Sequence, residues 1–160
     1  MRAPASRVLG AIVLGGVVAG TLDIFVAAAI NHLNVGVILQ AIASGLLGRD
    51  SFNEGSRSMI VGLVAQELMS LVIAAIFVLS AVRLSVLRCW PFAAGAAYGV
   101  GIFLVMNLVV VPLSAAYPKH RAVHADAVML NLAAMILFGL IIAWTATAVM
   151  GRKSAAAIAR

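Results

Sequence analysis

The stretch Gly15 to Asn31, GGVVAGTLDIFVAAAIN, is almost wholly apolar and decides the class of the fold. It belongs to a longer apolar run, Val8 to Leu33, which exceeds the ~20 residues that a helix needs to cross a bilayer. One carboxylate, Asp23, lies well inside this run. The stretch predicts a membrane-spanning helix and raises the question of what an acid does within it.

Three further apolar runs are long enough to cross a membrane: Met59 to Val82, Pro91 to Ala116, and Ala125 to Met150. Of the 160 residues, 64% are hydrophobic and 10% are charged, whereas about a quarter of the residues in soluble domains are charged. The composition therefore predicts an all-α membrane protein. We expect one integral domain over residues 1–160, built as a four-transmembrane-helix bundle.

The formal charge of +6 is explained by topology rather than by a nucleic-acid partner. The basic residues lie at segment ends and form no patch interleaved with aromatic residues. With a cytoplasmic N-terminus, four basic residues lie outside: Arg49, Arg57, Lys119 and Arg121. Seven then lie inside: Arg2, Arg7, Arg83, Arg88, Arg152, Lys153 and Arg160. The positive-inside rule therefore predicts that both termini are cytoplasmic.

The first span resembles a secretory signal, because Arg2 and Arg7 precede an apolar stretch that ends in an A-x-A-like pattern. Its length and the position of Asp23 argue against cleavage, so we expect a retained span. The single cysteine, Cys89, is unable to form an internal disulfide and has no second cysteine for a metal motif.

A short segment between spans one and two has apolar residues near helical spacing. Residues 36–48 are too few to cross the membrane, so they predict an amphipathic or re-entrant helix at the outer face. This helix either caps the bundle or seats a partner. Next comes SFNE, Ser51 to Glu54, a capping-box pattern that predicts a helix start near Phe52.

Two GxxxG pairs predict close helix packing: Gly16 with Gly20, and Gly95 with Gly99. Generic small-residue packing and a dedicated association face are both consistent with these pairs. Pro112 predicts a kink or a loss of regular hydrogen bonding late in span three.

Each span carries one strongly polar residue in the half nearer the outer face: Asp23, Glu67, Asn107 and Asn131. At the helical rise, each lies about 9 to 15 Å below the outer end of its span. An acid facing lipid is costly, so these side chains are expected to face inward as one intramembrane polar layer. Gln66, Ser70 and Ser114 are candidate partners. Two interpretations stay open: a structural network that sets helix register, or a proton or cation site.

Two histidines, His120 and His124, stand four residues apart at the start of span four. This spacing allows one metal or haem iron to be held on one helix face, although such a pair is more often simply interfacial polarity. His32 follows Asp23 by nine residues and so points to the opposite side of span one. No other cofactor is predicted, and no nucleophile, base and orienting residue occur at catalytic spacing.

The stretches GGVVAGTLD, LQAIASGLLGRD and MNLVVVPLSA give the chain a resemblance to small bacterial membrane proteins of the YagU-like kind. These proteins resemble it in a Gly/Ala-rich first span, a Pro-containing PL segment and a short last span. Members often have a histidine in the second span, where this chain has Glu67. The resemblance implies a bacterial inner (cytoplasmic) membrane location and no established activity.

Three functional hypotheses follow. The first is a non-enzymatic accessory, assembly or interaction subunit that associates with itself or with other membrane proteins through its glycine faces and outer segment. The second is a small oligomeric transporter or channel that couples to a proton or cation through Asp23 and Glu67. The third is a metal- or haem-binding membrane protein that uses His120 and His124.

Overall fold

The computed structural model describes residues 4–84, 86–115 and 125–151, and the regular structure in these residues is helical. A 3-10 turn, Arg49–Phe52, and a π turn, Met106–Val110, lie between α-helices. The helices are α1 Ala5–Asn31, α2 Val35–Leu47, α3 Ser56–Arg83, α4 Val86–Cys89, α5 Pro91–Val105, α6 Val111–Leu113 and α7 Ala125–Met150.

Four helical units are long and apolar enough to cross a membrane: α1, α3, the continuous unit Pro91–Leu113 and α7. The predicted all-α fold with four spans is therefore confirmed. The first of these units ends at His32, whose left-handed conformation (φ 52°) lets two backbone amides reach back to the carbonyls of Ala28 and Ala29. Asn34 then starts α2 by accepting a hydrogen bond from the Gly36 amide.

The helix α1 packs between α3 and α7, and α5 packs against α7. Tyr98 on α5 also reaches α3, where its hydroxyl donates to the Ile73 carbonyl at 2.7 Å and its ring packs on Phe77. We call the end that carries Ala5, α4 and Met150 the α4 end, and the opposite end the α2 end. The main hydrophobic core draws on all four spans, and a smaller cluster of Ile24, Ala28 and Ile38 lies at the α2 end.

The short helix α2 folds back over the bundle. The Leu39 carbonyl lies directly against Gly62 on α3, and the Ala115 amide donates to the Gly45 carbonyl at 3.0 Å. Backbone contact this close requires a residue without a side chain at position 62. These contacts correspond to the first of the two roles predicted for this segment, capping of the bundle.

Two local predictions need correction or refinement. The capping box at Ser51 is wrong, because α3 begins at Ser56 after Gly55, and the fully buried Ser51 hydroxyl instead donates to the Gln40 carbonyl at 3.1 Å. Packing of α2 against this turn has overridden the local signal. The irregularity predicted at Pro112 takes the form of the π turn that ends just before α6.

Candidate functional site

Helices α1 and α3 approach each other closely at two glycines. A methyl group on Gly20 would lie 2.5 Å from Ser70 Oγ, and one on Gly16 would lie 3.0 Å from the Leu71 Cα. Any larger residue at these positions would push the helices apart. We call this contact the α1–α3 seam, formed by Gly16, Gly20, Thr21, Asp23, Gln66, Glu67 and Ser70.

Two hydrogen bonds cross the seam at neighbouring positions. Gln66 Nε2 donates to Asp23 Oδ2 at 2.9 Å, and Thr21 Oγ1 donates to Glu67 Oε1 at 3.2 Å. Both acids are half-buried. Because Gln66 and Glu67 are consecutive, the two carboxyl groups occupy adjacent positions along the same helix interface. The seam thus brings together the two acids that the sequence singled out, each with a different neutral partner.

The second carboxyl oxygen of Glu67 is the least satisfied polar atom of the seam. Glu67 Oε2 is buried and has no hydrogen-bond partner among the described residues. It lies against Gly20, 3.3 Å from the point where a methyl group would stand, and Ser70 Oγ borders the same point. An ionised carboxylate with one buried, unpartnered oxygen is costly in a membrane interior, whereas a protonated one carries no net charge.

On its other side Asp23 faces an apolar surface of α7. A shallow cleft of about 10 Å³ lies there, which is about the space that one water molecule needs. The lining residues are Ala19, Leu22, Asp23 and Val26 of α1, with Ala134, Leu137, Phe138 and Ile141 of α7. Helix α7 therefore offers Asp23 no charged partner at this level.

The two asparagines of the predicted polar layer belong to helices other than the two that form the seam. Asn107 sits in the π turn and donates to the Phe103 carbonyl of its own helix at 2.9 Å. Asn131 is half-buried on α7, one turn before the α7 residues that face Asp23. Within the described residues, no hydrogen bond joins either amide to Asp23 or Glu67. The structure thus brings two of the four polar residues to one interface.

The remaining predicted residues fall elsewhere. Gly95 and Gly99 lie directly against Gly139 and the α7 backbone, so this pair packs within the molecule. Ser114 lies beside Gly45 of α2 and not beside the acids. His120 and His124 lie outside the described residues. The described part of the chain contains no group of three or more His, Cys, Asp or Glu side chains placed to hold a metal.

One seam residue, Thr21, is not singled out by the sequence. It is a mostly exposed residue next to Gly20, and its hydroxyl is the one hydrogen-bond donor to Glu67 among the described residues. A polar residue adjacent to the GxxxG pair was the available signal. The sequence alone does not tell which helix packs on that face.

Comparison of this chain with protein-family models, with curated proteins and with solved structures gives no match. The resemblance to YagU-like membrane proteins therefore stays a prediction.

Proposed function

We propose that this protein is a non-enzymatic integral membrane protein that binds a proton at the α1–α3 seam and works, as an oligomer, in proton- or cation-coupled transport. The observation that carries the proposal is the buried Glu67 Oε2 inside a membrane span, which has no hydrogen-bond partner in the parts of the chain that the structure describes. Ionisable residues within spans commonly mark ion or proton pathways, because burying them is otherwise unfavourable. A bacterial inner-membrane location with cytoplasmic termini is part of the same proposal.

Within this proposal Glu67 carries the proton and Asp23 is the neighbouring carboxylate. Thr21 donates to one Glu67 oxygen and Gln66 donates to one Asp23 oxygen, so each acid has one oxygen held by a neutral donor. Two ionised carboxylates at neighbouring positions in low dielectric repel each other, so a proton on Glu67 removes this repulsion. Oligomerisation is included because four helices rarely enclose a pathway on their own.

The test is proton flux in vesicles that contain the purified protein and a trapped pH-sensitive dye. We expect flux in the wild type that is lost in Glu67→Gln and reduced in Asp23→Asn. Matched controls are Glu54→Gln and Asp50→Asn, which change exposed carboxyl groups between α2 and α3. These controls should conduct like the wild type. Vesicles as tight as protein-free vesicles, or full flux in Glu67→Gln, would contradict transport.

Infrared difference spectra between acid and alkaline pH test the proton site separately from transport. A protonated carboxyl band that is lost in Glu67→Gln but kept in Glu54→Gln is expected. Its absence from the wild type would contradict proton binding at Glu67. If the band is observed but no proton flux is measured, the proton site is supported and the transport function is contradicted.

The accessory-subunit hypothesis is supported by a different observation. In the most apolar stretch of the span Pro91–Leu113, only 11% of the residues are buried, whereas the corresponding share for α1 is 39%. Leu108 on this span is 71% exposed. The glycine faces and α2, in contrast, are packed within the molecule. A partner helix would therefore dock on this span. Purification from the native membrane in mild detergent should yield a stoichiometric partner that Leu108→Trp releases and Leu68→Trp, on α3, does not.

The metal- or haem-binding hypothesis rests on His120 and His124, which lie outside the described residues. It stays a prediction of the sequence. An absorbance spectrum and a metal assay of the purified protein test it, and a featureless visible spectrum without stoichiometric metal would end it.

A further inference from the structure

Arg88 is a buried cation at the α4 end, and one of its nitrogen atoms has no partner in the described part of the chain. The residue is 5% exposed, and its Nε atom has no hydrogen-bond partner among the described residues. The other basic side chains described at this end, Arg7 and Arg83, are exposed. A buried guanidinium is stable when an anion or several acceptors compensate its charge. The unmatched Nε indicates that the described residues do not supply all of this compensation.

No acidic side chain of this chain lies at the α4 end. The whole sequence contains five acids. Asp23 and Glu67 are mid-span, and Asp50, Glu54 and Asp126 belong to the α2 end. An anionic partner for Arg88 other than a chain terminus must therefore come from outside the chain. In a membrane protein, the abundant anion at the end of a span is a phospholipid phosphate.

A cavity of about 230 Å³ lies between the helices that α4 contacts. Pro91 and Phe92 at the start of α5 form one wall, and α7 forms the other with Leu140, Trp144, Thr147 and Ala148. Phe92 and Trp144 are 68% and 62% exposed, so the cavity opens on the membrane-facing surface. The Thr147 hydroxyl already donates to carbonyls of its own helix. The wall is therefore predominantly apolar, as an acyl chain requires.

The beginning of α5 adds a favourable field for an anion. Trp90 provides no side-chain cap, and Pro91 opens the helix, so the first free amides of α5 lie beside the cavity. The positive end of the helix dipole lies at the same place. Helix α4, which carries Arg88, contacts both α5 and α7. Arg88 precedes Pro91, which lines the cavity, by three residues, so the cation, the start of α5 and the cavity lie at the same end of the bundle.

We infer that the α4 end of the bundle holds an anionic phospholipid, with an acyl chain in the cavity between α5 and α7 and its phosphate beside Arg88. This role is independent of the proton site, which lies at mid-span on another helix pair. A single bound lipid would account for the buried charge of Arg88, for the exposed aromatic residues and for the cavity.

The test is native mass spectrometry of delipidated protein after addition of phosphatidylglycerol or phosphatidylcholine at equal concentration. We expect the wild type to retain phosphatidylglycerol about tenfold more than phosphatidylcholine, because phosphatidylglycerol is a net anion, whereas the choline ammonium of phosphatidylcholine offsets its phosphate charge and is repelled by Arg88. Arg88→Gln should lose this preference, and Arg83→Gln, at an exposed arginine of the same end, should keep it. Equal retention of the two lipids by the wild type, or a full preference in Arg88→Gln, would overturn the proposal.

A second pair of variants decides the question even when Arg88→Gln does not fold. Ala148→Phe fills the cavity from an exposed position, and Ala133→Phe adds the same ring to an exposed position of α7 away from the cavity. Retention of phosphatidylglycerol should fall about tenfold in the first and stay unchanged in the second. Unchanged retention in Ala148→Phe would overturn the site.

Discussion

Asp23 on α1 and Gln66 on α3 are joined by a hydrogen bond of 2.9 Å within the membrane-spanning part of the bundle. The bond joins α1 to α3, the two spans between which α2 lies in the sequence. It also gives an intramembrane acid a neutral donor in place of a cation. Its strength is therefore the first property of the seam to measure.

Replacement of Gln66 by Leu should lower the free energy of unfolding by about 1 kcal/mol, since hydrogen bonds between membrane helices contribute about this amount. The measurement is reversible unfolding in mixed micelles. In a double-mutant cycle, Asp23→Leu with Gln66→Leu should destabilise the protein less than the sum of the single changes, because the bonded pair is removed together. Leu68→Ala, on the exposed face of α3, serves as the control. Strict additivity would show that the bond contributes nothing.

Gly99→Ala should destabilise the contact between α5 and α7 by about 2 kcal/mol. An added methyl group would meet the Met135 carbonyl and the Ile136 backbone, which are unable to move aside without separating the helices. Gly101→Ala is a matched control two residues along the same helix, where no atom lies within 4 Å of the added carbon. Thermal unfolding in detergent should distinguish them. Equal midpoints for the two variants would refute the close approach.

Tyr98→Phe should cost about 1 kcal/mol by removing the hydroxyl that donates to the Ile73 carbonyl at 2.7 Å. The ring contact with Phe77 is kept in this variant, so the change isolates the hydrogen bond. The measurement is again unfolding in micelles. Phe103→Leu, on the same helix but away from this contact, provides the reference for a conservative change in α5. A Tyr98→Phe variant as stable as the wild type would mean that the carbonyl needs no second donor.

Ser51→Ala should loosen α2 without unfolding the spans. The buried hydroxyl donates to the Gln40 carbonyl, so its loss leaves a buried acceptor in the middle of α2 with one hydrogen bond fewer. Hydrogen exchange of α2 amides should rise several-fold, corresponding to about 1 kcal/mol of local stability. Amides in the middle of α3 should not change. Ser56→Ala, at an exposed serine, is the control, and an equal increase in that variant would contradict the assignment.

Part of the candidate site followed from sequence and part did not. Asp23 and Glu67 were identifiable because a charge inside an apolar run is conspicuous whatever the neighbouring helix is. The expectation that Asn107 and Asn131 share their layer rested on depth alone. Depth gives the level of a residue and not the direction of its side chain. In the structure, Asn107 satisfies its amide within its own helix, in the π turn.

The sequence by itself determined the membrane class, the number of spans and the existence of a short helix between the first two. These depend on local quantities, the length of each apolar run and the solvation of its backbone, which are independent of neighbouring elements. Only the tertiary structure decided that Gly20 packs on Ser70, that Gly99 packs on α7, and that Ser51 bonds α2 instead of capping α3. These outcomes depend on which helix faces meet. Nearly uniform apolar surfaces carry little local information about that choice, because lipid and helix are equally apolar neighbours.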